Sequence, residues 1–213
     1  RLQGDWSSDV CSSDLLFDSP SSGNAYKCRL LLHKLGLAYE RRIVDIDAGE
    51  TRRTDFLARN PNGRVPLLRL ADGTHLAESN AILGWLAHGT EWLPAARLEF
   101  AQTLQWLFFE QYSHEPNIAT VRHWLTHGIE ITPLLAQLIE RKRPAGHAAL
   151  GVMETHLATR DFFVGPHPTI ADIALYAYTH VAEEGGFALA PYPAVRAWLA
   201  RVAADPRHIA ITD

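Results

Sequence analysis

The chain has 213 residues, 47% of them hydrophobic, with a formal net charge of -4, enough apolar material to bury a core in one large domain or two small ones. Its Lys and Arg residues are scattered, which argues against nucleic acid or an anionic membrane surface as a partner, since both call for a clustered basic face. There is no apolar run near the roughly 18 residues of a membrane span and no basic-then-apolar leader pattern, and two cysteines without CxxC spacing, Cys11 and Cys28, fit a reducing compartment, so a cytoplasmic location is expected.

Residues 1–14, "RLQGDWSSDVCSSD", nearly repeat Ser-Ser-Asp without helical or strand period, and their composition predicts a disordered tail. The only methionine is Met153, so Arg1 is not an initiator; the tail resembles translated adapter sequence and is expected to be non-native, with no function for Cys11. Leu15 to Phe17 then reads as a short strand. The turn "DSPSSGN" follows, and "YKCRLLLHKLG" reads as a helix closed by Gly36. "YERRIVDID" is a second strand, and "GETRRTDFLARN" a polar helix ending before Pro61. "RVPLLRLADGTHLAES" gives two strands around Asp72-Gly73, and "NAILGWLAHG" an apolar helix.

The order to this point is β-α-β-α-β-β-α. "TEWLPAARLE" marks a boundary by its proline and its loss of strand pattern. Everything beyond reads helical: "RLEFAQTLQWLFFEQYSHEP", "TPLLAQLIERKR", "AALGVMETHLATR", "IADIALYAYTHVAEEG" and "YPAVRAWLARVAAD". The expected fold class is an α/β domain over residues 15–90 followed by an all-α domain over residues 95–213.

Five separated motifs, "SPSSGNAYK", "NPNGRVP", "LAESNAI", "FFVGPHPTIADIALYAY" and "YPAVRAWLARV", resemble signatures of the cytosolic glutathione S-transferases, in that family's order and from about Leu15 to the C-terminus. The resemblance is to bacterial members of Nu-class-like type. It implies a thioredoxin-like N-terminal domain that binds glutathione, a helical C-terminal domain that supplies most of the second-substrate pocket, and usually a homodimer.

The residues can be read beside that resemblance. Pro66 lacks a ladder donor and so contradicts a plain central strand; the resemblance implies a cis bond that turns the backbone of Val65 toward the glutathione peptide. Glu78 and Ser79 stand where an extended segment enters a helix, where a serine cap and helical N–H groups can receive a carboxylate; the resemblance gives them the γ-glutamyl end. For Arg64 the resemblance implies a reach to the glycine carboxylate, and the residue alone reads equally as a solvated strand-end arginine.

A cysteine-type thiol has a pKa of about 8.5, so a site using its thiolate near neutrality must stabilise the anion. Lowering that pKa by about two units takes about 2.7 kcal/mol, within reach of one charge-assisted hydrogen bond plus a helix N-terminus. Aligned on the helix near Lys27, the family's active serine or threonine falls on Ser22, and the asparagine near the sulfur in Nu-class-like members falls on Asn24. Ser21 is the neighbouring alternative, and Ser19 reads as a turn residue. A tyrosine-type site is excluded by Phe17, and a cysteine-type site by Ser22 or its neighbours. Cys28, inside the helix, reads as a buried small residue.

In the second half, Thr169 and Asp172 have capping-box spacing. His123 and His127 lie four apart but lack a third ligand, so no metal is expected. Trp106, Phe109, Tyr112, His114 and Arg122 line a pocket or belong to the core, and Tyr112 is the pocket candidate. The expected activity is transfer of the glutathione thiolate to a small hydrophobic electrophile. Glutathione-dependent disulfide reduction and a non-catalytic binding role are the alternatives.

Overall fold

The computed structural model describes residues 14–213. The reading of the N-terminal tail, Cys11 included, lies outside the described residues except at Asp14. That residue is buried, and its carbonyl accepts the Glu40 N–H at 2.8 Å, so Asp14 is part of the folded unit. Two compact units make up the chain: one runs to Thr90 and takes up Arg207–Asp213, and the other is Glu91–Pro206.

The first unit is built on a four-stranded mixed sheet in the order β2-β1-β3-β4. Strand β1 (Leu15–Asp18) pairs in parallel with β2 (Glu40–Ile43) and antiparallel with β3 (Leu67–Arg69), which pairs antiparallel with β4 (His75–Ala77). Successive residues Leu16 and Phe17 are both buried, as befits a central strand covered on both faces. Phe17 packs with Val44, Phe56, Val65 and Leu67, meeting the Phe56 ring edge-on at 6.0 Å. Asp72-Gly73 sits within a longer turn in which the Leu70 N–H reaches the Thr74 carbonyl and the Asp72 carboxylate accepts from the Thr74 N–H at 2.8 Å.

Helix α1 (Gly23–Leu35) ends at Gly36, whose φ of 69° closes the last turn with bonds from Gly36 and Leu37 to His33 and Leu32. It packs against α3 (Ser79–Ala87). The polar helix expected over 49–60 is shorter: a 3-10 turn at Glu50–Arg52 gives way at the extended Arg53 to α2, only Thr54–Leu57.

The segment Arg207–Asp213, expected in the helical domain, belongs to the first unit instead. The reason is a set of donors in the first unit, of which Tyr26 and Arg29 are buried. The Tyr26 hydroxyl donates to the Ile209 carbonyl at 2.7 Å, Arg29 to that of Ile211 at 2.9 Å, and Arg41 to that of Asp213. Both arginines pair with the buried Asp18, at 2.9 and 2.5 Å.

The second unit is helical: α4 (Arg97–Phe109), α5 (Glu115–Thr126), α6 (Pro133–Leu157), α7 (Ile170–Thr179) and α8 (Pro193–Ala203). A π-helical segment, Glu110–His114, joins α4 to α5. Two helices were expected around Pro144, yet α6 runs through it for 25 residues. Proline deletes a ladder bond, but α6 buries Ile139, Gly146, Ala149, Leu150, Met153 and Leu157 on either side of it, and continuity of that apolar face outweighs the loss. All ten residues of α7 are buried. Its capping box is formed, with Thr169 N–H donating to Asp172 Oδ2 at 2.8 Å.

Candidate functional site

The residues predicted to act on glutathione, Ser22, Asn24, Arg64, Val65, Pro66, Glu78 and Ser79, all lie in the first unit, where loops leave β1, enter β3 and leave β4. The turn after β1 closes with the Ser22 N–H on the Ser19 carbonyl at 2.9 Å, so Ser19 is a turn residue. Ser22 becomes the N-cap of α1, and its hydroxyl oxygen accepts from the Ala25 N–H at 3.2 Å. That bond uses an acceptor lone pair and leaves the hydroxyl proton as a donor. Ser22 is half-buried and Ser21 exposed.

Asn24 stands in the first turn of the same helix. Its Oδ1 accepts from Lys27 Nζ at 2.8 Å and from the Ser79 hydroxyl at 3.2 Å. An ammonium only donates, so the amide oxygen is fixed toward Lys27 and the amide NH2 is presented on the other branch of the group. Asn24 and Ser79, 55 positions apart, are thereby brought into direct contact.

Ser79 is the first residue of α3 rather than its cap, which corrects the expectation of a serine N-cap. The N-cap is Glu78, and no side chain caps the helix. The first intrahelical bond runs from the Ile82 N–H to the Glu78 carbonyl at 3.0 Å, so the terminus is oriented for an anion. Glu78 has φ 69° and ψ 116°, the one non-glycine at positive φ among the described residues. Such a conformation costs about 1–3 kcal/mol and collects at binding sites. The Glu78 carboxylate accepts from Asn62 Nδ2 at 3.4 Å.

The Val65–Pro66 bond is cis, as the resemblance implies, and Val65 lies just ahead of the ladder, which begins at Leu67. The turn before it is tightly built. Buried Asn60 donates from Nδ2 to the Arg64 carbonyl at 2.8 Å and accepts from the Asn62 N–H at 3.1 Å. Gly63 has φ 61°, and a Cβ there would stand 2.9 Å from the Thr51 carbonyl oxygen. Arg64 itself is exposed.

The remaining residues sort by burial. Phe17 is a core residue of β1. Cys28 is fully buried, and desolvation pushes its thiol well above the usual range, so it carries no thiolate. In the second unit, Trp106 is buried against Phe109, His156 and Phe163, with ring centroids 5.2, 4.7 and 4.6 Å away. Buried His114 bonds Thr179 at 2.9 Å, and Arg122 pairs with Glu184 at 2.7 Å. These are packing and bracing roles. Tyr112, in the π-helical segment, is 87% exposed. The His123 and His127 rings lie 4.2 Å apart, and among the described residues no three His, Cys, Asp or Glu side chains gather in a metal-holding group.

Lys27, Asn60 and Asn62 were not singled out in the sequence. Asn60 and Asn62 fall in the quoted "NPNGRVP" and carry a turn signal; Lys27 carries none, because a lysine in a helix ordinarily reads as solvated.

Comparison with known proteins identifies the family. The family model for the glutathione S-transferase N-terminal domain matches residues 21–88, and that for the C-terminal domain residues 136–201. A crystal structure of a glutathione S-transferase from Pseudomonas fluorescens Pf-5 superimposes with a TM-score of 0.91 at 49% identity, over 94% of this chain and 99% of the other. The disulfide-bond oxidoreductase YfcG of Escherichia coli K12 is 32% identical over 86% of this chain and 87% of its own length. The structure of Ure2p in complex with glutathione is similar at 28% identity, TM-score 0.81, over 91% and 95% of the two chains. With both family domains matched in order and relatives aligned along most of their length, the chain belongs to the glutathione S-transferase family.

Proposed function

We propose that the chain binds glutathione in its first unit and transfers the glutathione thiolate to a small hydrophobic electrophile. The observation that carries this reading is the Ser22 hydroxyl at the α1 N-terminus. Its oxygen accepts from the Ala25 N–H, which leaves its proton to donate to the sulfur. Donation to an anion is worth about 1.5–3 kcal/mol, most of what a shift of about two pKa units needs. Val65 and cis-Pro66 would pair with the peptide backbone, Glu78 and Ser79 would hold the γ-glutamyl end at the α3 terminus, and Arg64 would reach the glycine carboxylate. The bound thiolate then attacks the electrophilic carbon and the leaving group departs with its electron pair. Tyr112 would line the second-substrate pocket, and the active form would be a homodimer in the cytoplasm, with no metal.

The second reading is disulfide reduction, in which the thiolate attacks a mixed disulfide, releases the partner thiol and yields glutathione disulfide. The fixed Asn24 amide favours it, and so does the likeness to YfcG, whose name records a disulfide-bond oxidoreductase. A non-catalytic binding protein is the third. Parallel assays with an activated aryl halide and a small mixed disulfide separate them. Turnover of the aryl halide supports transfer, and turnover of the disulfide alone supports reduction. Glutathione binding with neither activity leaves the binding protein.

A further inference from the structure

Lys27 lies one turn into α1, completely buried. Its ammonium donates to Asn24 Oδ1 at 2.8 Å and to Ser79 Oγ at 3.4 Å, while the Ser79 hydroxyl donates to the same Asn24 oxygen at 3.2 Å. A buried cation thus touches both Asn24, which neighbours the proposed sulfur donor Ser22 in the first turn of α1, and Ser79, the residue proposed to hold the γ-glutamyl carboxylate.

We infer that Lys27 is a positioning residue that couples the two ends of the glutathione site. A bound carboxylate at the α3 terminus offers Ser79 a better acceptor than a neutral amide. The Ser79 hydroxyl then turns from Asn24 Oδ1 to the ligand. Lys27 keeps its own bond to that oxygen, so the Asn24 amide beside Ser22 holds its orientation while Ser79 is redirected. Its charge also lies within about 6 Å of the incoming anion, two hydrogen-bond lengths through Ser79. At an effective dielectric of about 20 that attraction is worth about ten- to hundredfold in affinity. The ammonium itself makes no ligand contact; it acts through Ser79 and Asn24.

The inference rests on the proposed glutathione site, and its test separates the two. Affinities of the full chain are measured for reduced glutathione and for the analogue whose γ-glutamyl α-carboxylate is a carboxamide, in wild type and in Lys27→Met. Wild type is expected to prefer the carboxylate, and the preference should fall at least tenfold in the variant. An equal preference in both proteins overturns the role of Lys27 even though the site binds. Binding of neither ligand by wild type overturns the glutathione reading itself, and this inference with it.

If Lys27→Met does not fold, the wild type still decides. The chain has three lysines, Lys27, Lys34 and Lys142, so Lys34→Arg and Lys142→Arg suffice to assign the Cε signals of lysine-labelled protein by NMR. The Lys27 signal should shift with glutathione and remain in place with the carboxamide. Equal responses to both ligands, or none to either when both bind, would overturn the coupling.

Discussion

Replacing Asp172 tests the bracing of the helical unit. Its carboxylate is buried and takes four donors. Oδ1 accepts from Trp198 Nε1 at 2.9 Å and Phe163 N–H at 3.2 Å, and Oδ2 from Thr169 N–H at 2.8 Å and the Thr169 hydroxyl at 3.3 Å. Asp172→Ala strands three buried N–H groups, each costing about 1–3 kcal/mol. With partial relaxation the loss should be about 3–5 kcal/mol, a large share of a domain's about 5–15 kcal/mol. Asp172→Asn keeps one oxygen and sets an NH2 against the Thr169 N–H, so about 2–3 kcal/mol is expected.

The pH dependence of the same group has a definite sign. Burial pushes the Asp172 carboxyl up to about 6 from 3.8, against the lowering effect of its hydrogen bonds. The folded state therefore binds the proton more tightly than the unfolded state. This group's contribution is greatest below about pH 4, falls as pH rises to about 6, and is constant above. A shift of about two units corresponds to about 3 kcal/mol across that window. Urea unfolding followed by far-ultraviolet circular dichroism, from pH 4 to 7, measures both effects. An Asp172→Asn variant within about 0.5 kcal/mol of wild type throughout, with the same pH slope, would refute the reasoning.

A deletion and a substitution probe the first unit. Deleting residues 207–213 removes the carbonyl partners of buried Tyr26 and Arg29 and should lower stability by about 2–4 kcal/mol; an unchanged thermal midpoint would show that the segment does not brace the unit. Gly63→Ala must carry a side chain at φ 61° against the Thr51 backbone, costing about 1–3 kcal/mol. Calorimetry should find weaker glutathione binding as the Arg64–Val65 backbone shifts, and full affinity would dissociate that turn from the site.

Features set by neighbouring residues were legible in the sequence. The Thr169–Asp172 spacing, the Gly36 stop and the serine-rich turn each specify a local conformation, and the structure shows a capping box, a left-handed terminus and an N-cap at Ser22. Pro66 announced a departure from strand geometry for the same reason. Features decided by distant packing were not legible. Lys27 is buried in a helix that packs against α3, and the sequence around it is that of an ordinary helix. Glu78 holds a positive φ that a non-glycine does not advertise. Pro144 looked like a break because the local rule is strong, while the buried face that carries α6 past it depends on helices elsewhere in the unit. The grip of Tyr26, Arg29 and Arg41 on Arg207–Asp213 joins segments more than 170 positions apart, beyond any motif.

The pKa of glutathione bound to wild type, Ser22→Ala and Asn24→Ala, followed by thiolate absorbance against pH, tests the central claim most directly. Ser22→Ala should raise that pKa by about one to two units, the equivalent of one hydrogen bond to an anion, with little change in affinity at high pH and a smaller effect from Asn24→Ala. A titration of bound glutathione that is unshifted in Ser22→Ala would contradict Ser22 as the donor to the sulfur.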